Sequence, residues 1–232
     1  MAMWNGKKKA VTFSYDDGVE QDRKLLEIFN KFGLKGTFNL NSGIQKHDKP
    51  WYYKDIVPVY RMNSEGLNTL YKGHEIAVHG LNHINLTEAD RMKTETEIFE
   101  DKKNLEKLFQ TEICGMAYAF GAYTDESVEV IHNAGLKYAR TTAVTHSFDL
   151  EQDMLRYNAT CHHADEKLFE LGEQFLRLTP DSPQIFYVWG HSYEFDIENG
   201  WERMERFCKM MSGKDDIFYG TNREVFEHFG MI

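Results

Sequence analysis

From residue 10 to the end of the chain, short runs of β-branched and aromatic residues alternate with longer amphipathic segments. A run such as Val11-Thr12-Phe13 suits a strand, and a stretch with apolar side chains every three or four positions suits a helix, so each pair reads as one βα unit. Strands are expected at 10–15, 36–40, 75–79, 113–119, 137–142, 184–189 and 216–219, and helices at 20–32, 64–72, 88–109, 125–134, 166–178, 200–211 and 222–229. Parallel strands need crossovers of this kind. About seven of them in one chain point to an α/β fold, a deformed (β/α) barrel whose chemistry gathers at the C-terminal ends of the strands. No linker rich in Pro, Gly or Ser interrupts the pattern, so residues 1–232 are expected to form a single domain.

The helix at 88–109 is the clearest. Thr87 is its expected cap with Asp90 three places on, and Met92, Ile98, Phe99, Leu105, Leu108 and Phe109 lie on roughly one stripe that should face a sheet. The stretch 41–62 shows no clear periodicity. Long loops in compact domains are often functional, which makes it a candidate for part of a substrate wall.

The balance of 27 basic against 37 acidic residues, a formal charge of −10, argues against a nucleic-acid partner, which needs a concentration of Lys and Arg. The single basic run, Lys7-Lys8-Lys9, reads as a solvated start to the first strand. No apolar run approaches the ~18 residues needed to cross a bilayer, so no membrane segment is expected. Cys114, Cys161 and Cys208 are far apart and lack Cys-x-x-Cys spacing, which argues against a disulfide framework and against a thiolate zinc site. The first nine residues are too few and too polar for the core of a secretory signal, so the expected location is the cytoplasm.

Three clusters fall just after expected strands. Asp16-Asp17-Gly18 closes the first; two adjacent carboxylates are costly unless a cation or a proton separates their charges, and Gly18 lets the backbone turn between them. The competing reading is that one of the pair caps the helix that follows. His79 and His83 follow the third strand, and a His-x-x-x-His spacing can bring two imidazoles onto one divalent ion. Together with a carboxylate from the Asp pair, they form a two-His, one-carboxylate set that leaves positions open for water and substrate. His191, after the strand at 184–189, is placed for proton transfer. The other histidines read as surface or structural, with the neighbours His162 and His163 as the pair to watch.

Taken together, Ser14-Tyr15-Asp16-Asp17-Gly18, His79 with His83, Ala119-Phe120-Gly121 and Trp189-Gly190-His191 resemble, in order and spacing, the motifs of the polysaccharide deacetylases. These are also called NodB-homology domains or family 4 carbohydrate esterases. The resemblance implies a deformed barrel, a divalent metal that is most commonly zinc, and hydrolysis of an N-acetyl or O-acetyl group on an amino-sugar polymer or oligosaccharide. It further implies that Asp17, His79 and His83 hold the metal, that Asp16 is the base activating water, and that His191 is the acid protonating the departing amine. The backbone N–H of Phe120 would help bind the oxyanion. The donor set also suits cobalt, nickel or iron(II).

The chain departs from the family pattern at several positions. Ala117 stands where an arginine that holds the catalytic Asp is usual, and Ala119 where a proline is usual; Arg140, at the end of the next strand, is the candidate to supply the guanidinium from elsewhere. The Asp of the fourth motif is absent, leaving Asp149, Asp153 or Glu194 to orient His191, and Gly80 replaces a usual Ser or Thr. Tyr193, Trp189 and Tyr123 are candidate substrate-binding aromatics, along with Trp51, Tyr52, Tyr53 and Trp201. Two other readings remain: a hydrolase of a small non-sugar amide such as a ureide or imide, and a non-catalytic carbohydrate-binding protein of the same fold.

Overall fold

The computed structural model describes residues 3–150, 153–197, 199–230 and 232. In chain order its elements are β1 (Lys9–Asp16), α1 (Asp22–Phe32), β2 (Thr37–Leu40), β3 (Trp51–Tyr53), β4 (Val57–Val59), the short α2 (Leu67–Leu70), β5 (Glu75–Val78), α3 (Arg91–Phe109), β6 (Gly115–Ala117), α4 (Asp125–Asn133) and β7 (Tyr138–Val144). Then come β8 (Tyr157–Ala159), β9 (Cys161–His162), α5 (Leu168–Arg177), β10 (Gln184–Gly190), α6 (Gly200–Met211), β11 (Ile217–Tyr219) and α7 (Asn222–Phe229).

β1 is buried at every residue because neighbours cover both faces, as a parallel sheet requires. The ladder runs β8-β7-β6-β5-β2-β1-β10-β9, with every neighbouring pair parallel. Its two ends meet. Only Thr160 separates β8 from β9; its N–H donates to the Tyr187 carbonyl on β10, while its carbonyl accepts from the His146 N–H just past β7. One bent segment therefore bonds to both edges of the sheet, giving the α/β deformed barrel with seven staves.

The expected strand at 216–219 exists as β11, but it lies against the start of β1 and is not a stave of that ring. The seventh stave is the segment 157–162, whose two pieces of three and two residues are too short to show periodicity. The stretch 41–62 is not structureless either. It holds the antiparallel β3–β4 hairpin, whose Trp51, Tyr53, Val57 and Val59 pack with Val19 and Tyr193 at the mouth of the barrel.

Lys9 is not solvated: its stem is buried, and Nζ reaches Asp216 at 2.7 Å and the carbonyls of Phe175 and Leu176. α3 is capped by Asp90, which accepts from the Lys93 N–H, while Asn85 caps a separate single turn at Leu86–Glu88. Its apolar stripe is also narrower than expected. Met92 is 74% and Phe99 42% exposed, and the buried face carries Glu97 and Asp101 beside Ile98 and Leu105. The three cysteines are buried and free, and among the described residues no helix is long and apolar enough to cross a membrane.

The sheet is fitted closely where β6 meets β7. A Cβ at Gly115 would lie 2.1 Å from the Tyr138 ring, whose hydroxyl donates to half-buried Glu75. Gly115→Ala is expected to destabilise the fold by about 1–3 kcal/mol through overpacking. Urea denaturation measures this, and an unchanged midpoint would contradict the packing described.

Candidate metal and catalytic site

Asp16 is the last residue of β1 and pairs in register with Asn39 on β2, whose Nδ2 donates to Asp16 Oδ1 at 2.8 Å. The chain then turns sharply: Asp17 has φ +85° and Gly18 φ +63°. A Cβ at Gly18 would meet Gln45 Nε2 at 2.5 Å, so this turn needs glycine. The turn sends the two adjacent carboxylates to different partners. Neither caps α1, which begins after Gln21 without a side-chain cap.

Asp16 meets Arg140. The guanidinium Nη2 donates to both carboxylate oxygens at 2.7 and 2.5 Å, both residues are buried, and Trp189 lies 4.4 Å beneath the guanidinium. Arg140 pairs in register with Ala117, so the arginine absent from β6 is supplied one strand over at the same height in the sheet. Burial alone would raise the Asp16 pKa, but Arg140, helped by His79 and His191, outweighs it and holds the carboxyl below its ordinary value of 3.8.

Asp17 meets His79 and His83. Ligand atoms of these three lie within 4.8 Å of one another, and His83 Nε2 is 3.4 Å from Asp17 Oδ1. His79 Nδ1 is 2.8 Å from the Ala117 carbonyl and donates to it, which leaves the lone pair on Nε2. That Nε2 is buried and has no hydrogen-bond partner. Burial lowers the pKa of His79 and takes His83 down to about 4, so both imidazoles are neutral. Burial opposes ionisation of Asp17, yet Arg61 and His191, with smaller contributions from His79 and His83, together bring its pKa down to about 2. Two neutral imidazoles, one carboxylate and an orphaned buried lone pair fit a divalent metal.

A second cluster looks similar but differs in its protons. His162, His191 and Glu194 also lie within 4.8 Å of one another. The Ala164 N–H donates to His162 Nδ1, so the proton of His162 sits on Nε2, 3.2 Å from Glu194 Oε2. The His162 ring therefore turns no lone pair toward Glu194. His163 Nε2 stands 2.9 Å from the same oxygen, and His191 Nδ1 is 3.2 Å from Glu194 Oε1. Burial disfavours the Glu194 carboxylate, but the three imidazoles hold its pKa well below the usual range. In turn, burial works against a charged His191, and Glu194 together with the Asp pair overcomes it, raising the pKa to about 9. His191 Nε2 faces Asp16 Oδ2 at 3.8 Å.

Of the three acids considered for His191, Glu194 is therefore the one in contact; Asp149 bonds Ser147 and Gln184, and Asp153 caps a turn at Leu155. Phe120, 65% exposed with φ +58°, stands at the site with its ring 4.6 Å from His83. Tyr193 stacks on His191 at 5.1 Å. Trp189 is buried with Arg140 on its face, so it is not an open platform for a ligand. Tyr123 packs on Tyr118 with Arg156 near its face, away from these contacts.

The sequence reading missed Arg61. Its Nη1 donates to the Asp17 and Asn41 oxygens, its Nη2 reaches Asp17 Oδ1 at 3.0 Å, and Trp51 covers it at 4.8 Å. Nothing local marks an arginine in an aperiodic stretch as different from a surface one. A cavity of about 470 Å³, bordered by Tyr53, Lys54, His162 and Glu194, adjoins the cluster around His191.

The family model for polysaccharide deacetylases matches residues 4–139, more than half of the chain, and the chain belongs to that family of hydrolases acting on carbon–nitrogen bonds. Solved structures agree on the fold. A Pseudomonas aeruginosa PAO1 protein described as a polysaccharide deacetylase superposes with a TM-score of 0.73 at 13% identity, over 97% of this chain and 92% of that one. A family 4 carbohydrate esterase from Streptomyces lividans, in complex with acetate, gives 0.58 at 14% identity over 92% and 93%. The Streptococcus pyogenes deacetylase PplD gives 0.54 at 19% identity, over 62% of this chain and 61% of that one. No curated protein matches the chain by sequence.

Removing Arg140 would strand a buried carboxylate. Arg140→Met is expected to cost about 3–5 kcal/mol at pH 7. A depressed carboxyl pKa contributes stability above its unfolded value of 3.8 and loses it as pH falls through the folded one, so the deficit should shrink below about pH 4. Urea denaturation at pH 7 and pH 3.5 reads this, and a deficit independent of pH would contradict it.

Proposed function

We propose that this chain is a metal-dependent deacetylase that removes an N-acetyl or O-acetyl group from an amino-sugar polymer or oligosaccharide. The observation that carries the reading is the buried, unpartnered Nε2 of His79 converging with His83 and Asp17 beside a carboxylate that Arg140 keeps ionised. A divalent ion bound to Asp17, His79 and His83, zinc by donor set, supplies a Lewis acid that brings the pKa of water to about 7 and polarises a carbonyl.

The chain's own groups do the rest. Asp16, fixed by Arg140 and Asn39, takes the proton from the attacking water. His191 gives a proton to the departing nitrogen from Nε2, because Nδ1 is committed to Glu194 and the ring cannot turn away without losing that bond. The exposed Phe120 would present its backbone N–H to the developing oxyanion, near His83. Trp51 and Tyr53, half-buried with their rings 5.8 and 5.1 Å from the buried Tyr193, offer an aromatic edge against which a sugar face can pack.

Acetate release from acetylated oligosaccharides tests the assignment. Asp16→Asn and His191→Ala are expected to keep metal and lose about 10²–10⁴-fold in turnover, whereas Asp17→Ala, His79→Ala and His83→Ala should lose metal and activity together. A stoichiometric ion in both histidine variants would refute the ligand set. Equal inertness of the native chain and Asp16→Asn, with sugar still bound, would favour a binding protein; turnover of a ureide or imide but of no acetylated sugar would move the substrate class. Glu194→Gln should lower turnover and shift the pH limb governed by His191 while metal content stays the same. An unmoved pH profile would remove Glu194 from the mechanism.

A further inference from the structure

We propose that Glu97 and Asp101 of α3 are positioning residues for the metal-binding loop, clamping residues 79–83 so that both imidazoles meet Asp17. This rests on the metal reading above. β5 ends at Val78, and the five residues that follow include two in the left-handed region, Gly80 at φ +85° and His83 at φ +56°. Such a shape is costly for His83 and persists only when its surroundings fix it.

The fixing comes from the helix. Asp101 Oδ2 accepts from the His79 N–H at 3.1 Å and Oδ1 from the Ser42 N–H at 2.7 Å. Glu97 Oε2 accepts from the Asn82 N–H at 2.7 Å, Oε1 from Asn82 Nδ2 at 2.8 Å, and its carbonyl from the Leu81 N–H. From the other side, Asn41 Nδ2 donates to the carbonyls of His79 and Gly80. Each N–H at 79, 81 and 82 and each carbonyl at 79 and 80 is therefore held from outside the loop.

Two features separate this from ordinary helix packing. Both carboxylates are fully buried one turn apart on the same helix, where apolar residues would avoid a large desolvation cost, and their side-chain hydrogen bonds reach His79 and Asn82 of the loop as well as Ser42. Gly80 fits as well, because at its positive φ a side chain there would be strained and a Cβ would stand 3.6 Å from Glu97 Oε2.

The test is metal affinity with turnover left aside. Zn²⁺ and Co²⁺ dissociation constants, from chelator competition on the full chain, are expected to weaken about 10–100-fold in Glu97→Gln and Asp101→Asn, with a changed visible spectrum of the Co²⁺ form. Melting of the metal-free variants is measured alongside. Wild-type affinity with a lowered metal-free melting temperature would reduce both residues to a structural role and overturn the proposal. Should either variant fail to fold, Asn82→Ala decides: its side chain is exposed, it gives Glu97 one hydrogen bond, and a loss of about 3–10-fold is expected. Unchanged affinity there overturns the clamp. A native chain that binds neither ion sinks the metal reading itself, and the clamp with it.

Discussion

The ion pair between Asp16 and Arg140 is the interaction on which the site depends. Both groups are out of water, and a buried charge without its partner would cost several kcal/mol, so each makes the other tolerable. The pair also spans the barrel mouth, from the end of β1 to β7, four staves away in the ladder. It therefore sets the spacing between strands as well as the charge of a base. The guanidinium has moved from β6 to its register partner on β7, which shows what matters to Asp16: a fixed fork at that height, from whichever stave can deliver it.

Protons distinguish the two histidine clusters where residue types do not. Each offers imidazoles and a carboxylate at similar separations. At His79 a backbone carbonyl takes the Nδ1 proton and leaves a lone pair pointing inward; at His162 a backbone N–H takes the Nδ1 lone pair and leaves a proton pointing inward. One centre is thus built to receive a cation and the other to surround an anion, Glu194. A single main-chain contact to each ring decides which.

Much of the barrel was legible because its long staves bury both faces and its helices end where the next strand begins. β1, β7 and β10 have seven or eight residues each, enough for a β-rich run to stand out. The closing stave was not legible, since Thr160 divides it and its pairing is decided by edges far away in sequence. Asp16, Asp17, His79, His83 and His191 could be picked out because reactive residues cluster at strand ends, whereas Arg140, inside β7, was flagged only as a replacement for the arginine missing from the family pattern. Arg61, Glu97 and Asp101 could not. A charged residue on an amphipathic helix looks solvent-facing until the loop whose amides need it is in place, and α3 hid two acids in a stripe expected to be apolar.

The β3–β4 hairpin carries a consequence of its own. Trp51 lies on Arg61, which holds Asp17, and both Trp51 and Tyr53 lean on Tyr193, which stacks on His191. One protruding finger is thereby coupled to the cation cradle on one flank and to the proton donor on the other. Evolutionary drift at its tip would retune both at once, so relatives that exchange this finger for another should differ in catalytic balance as much as in what they bind.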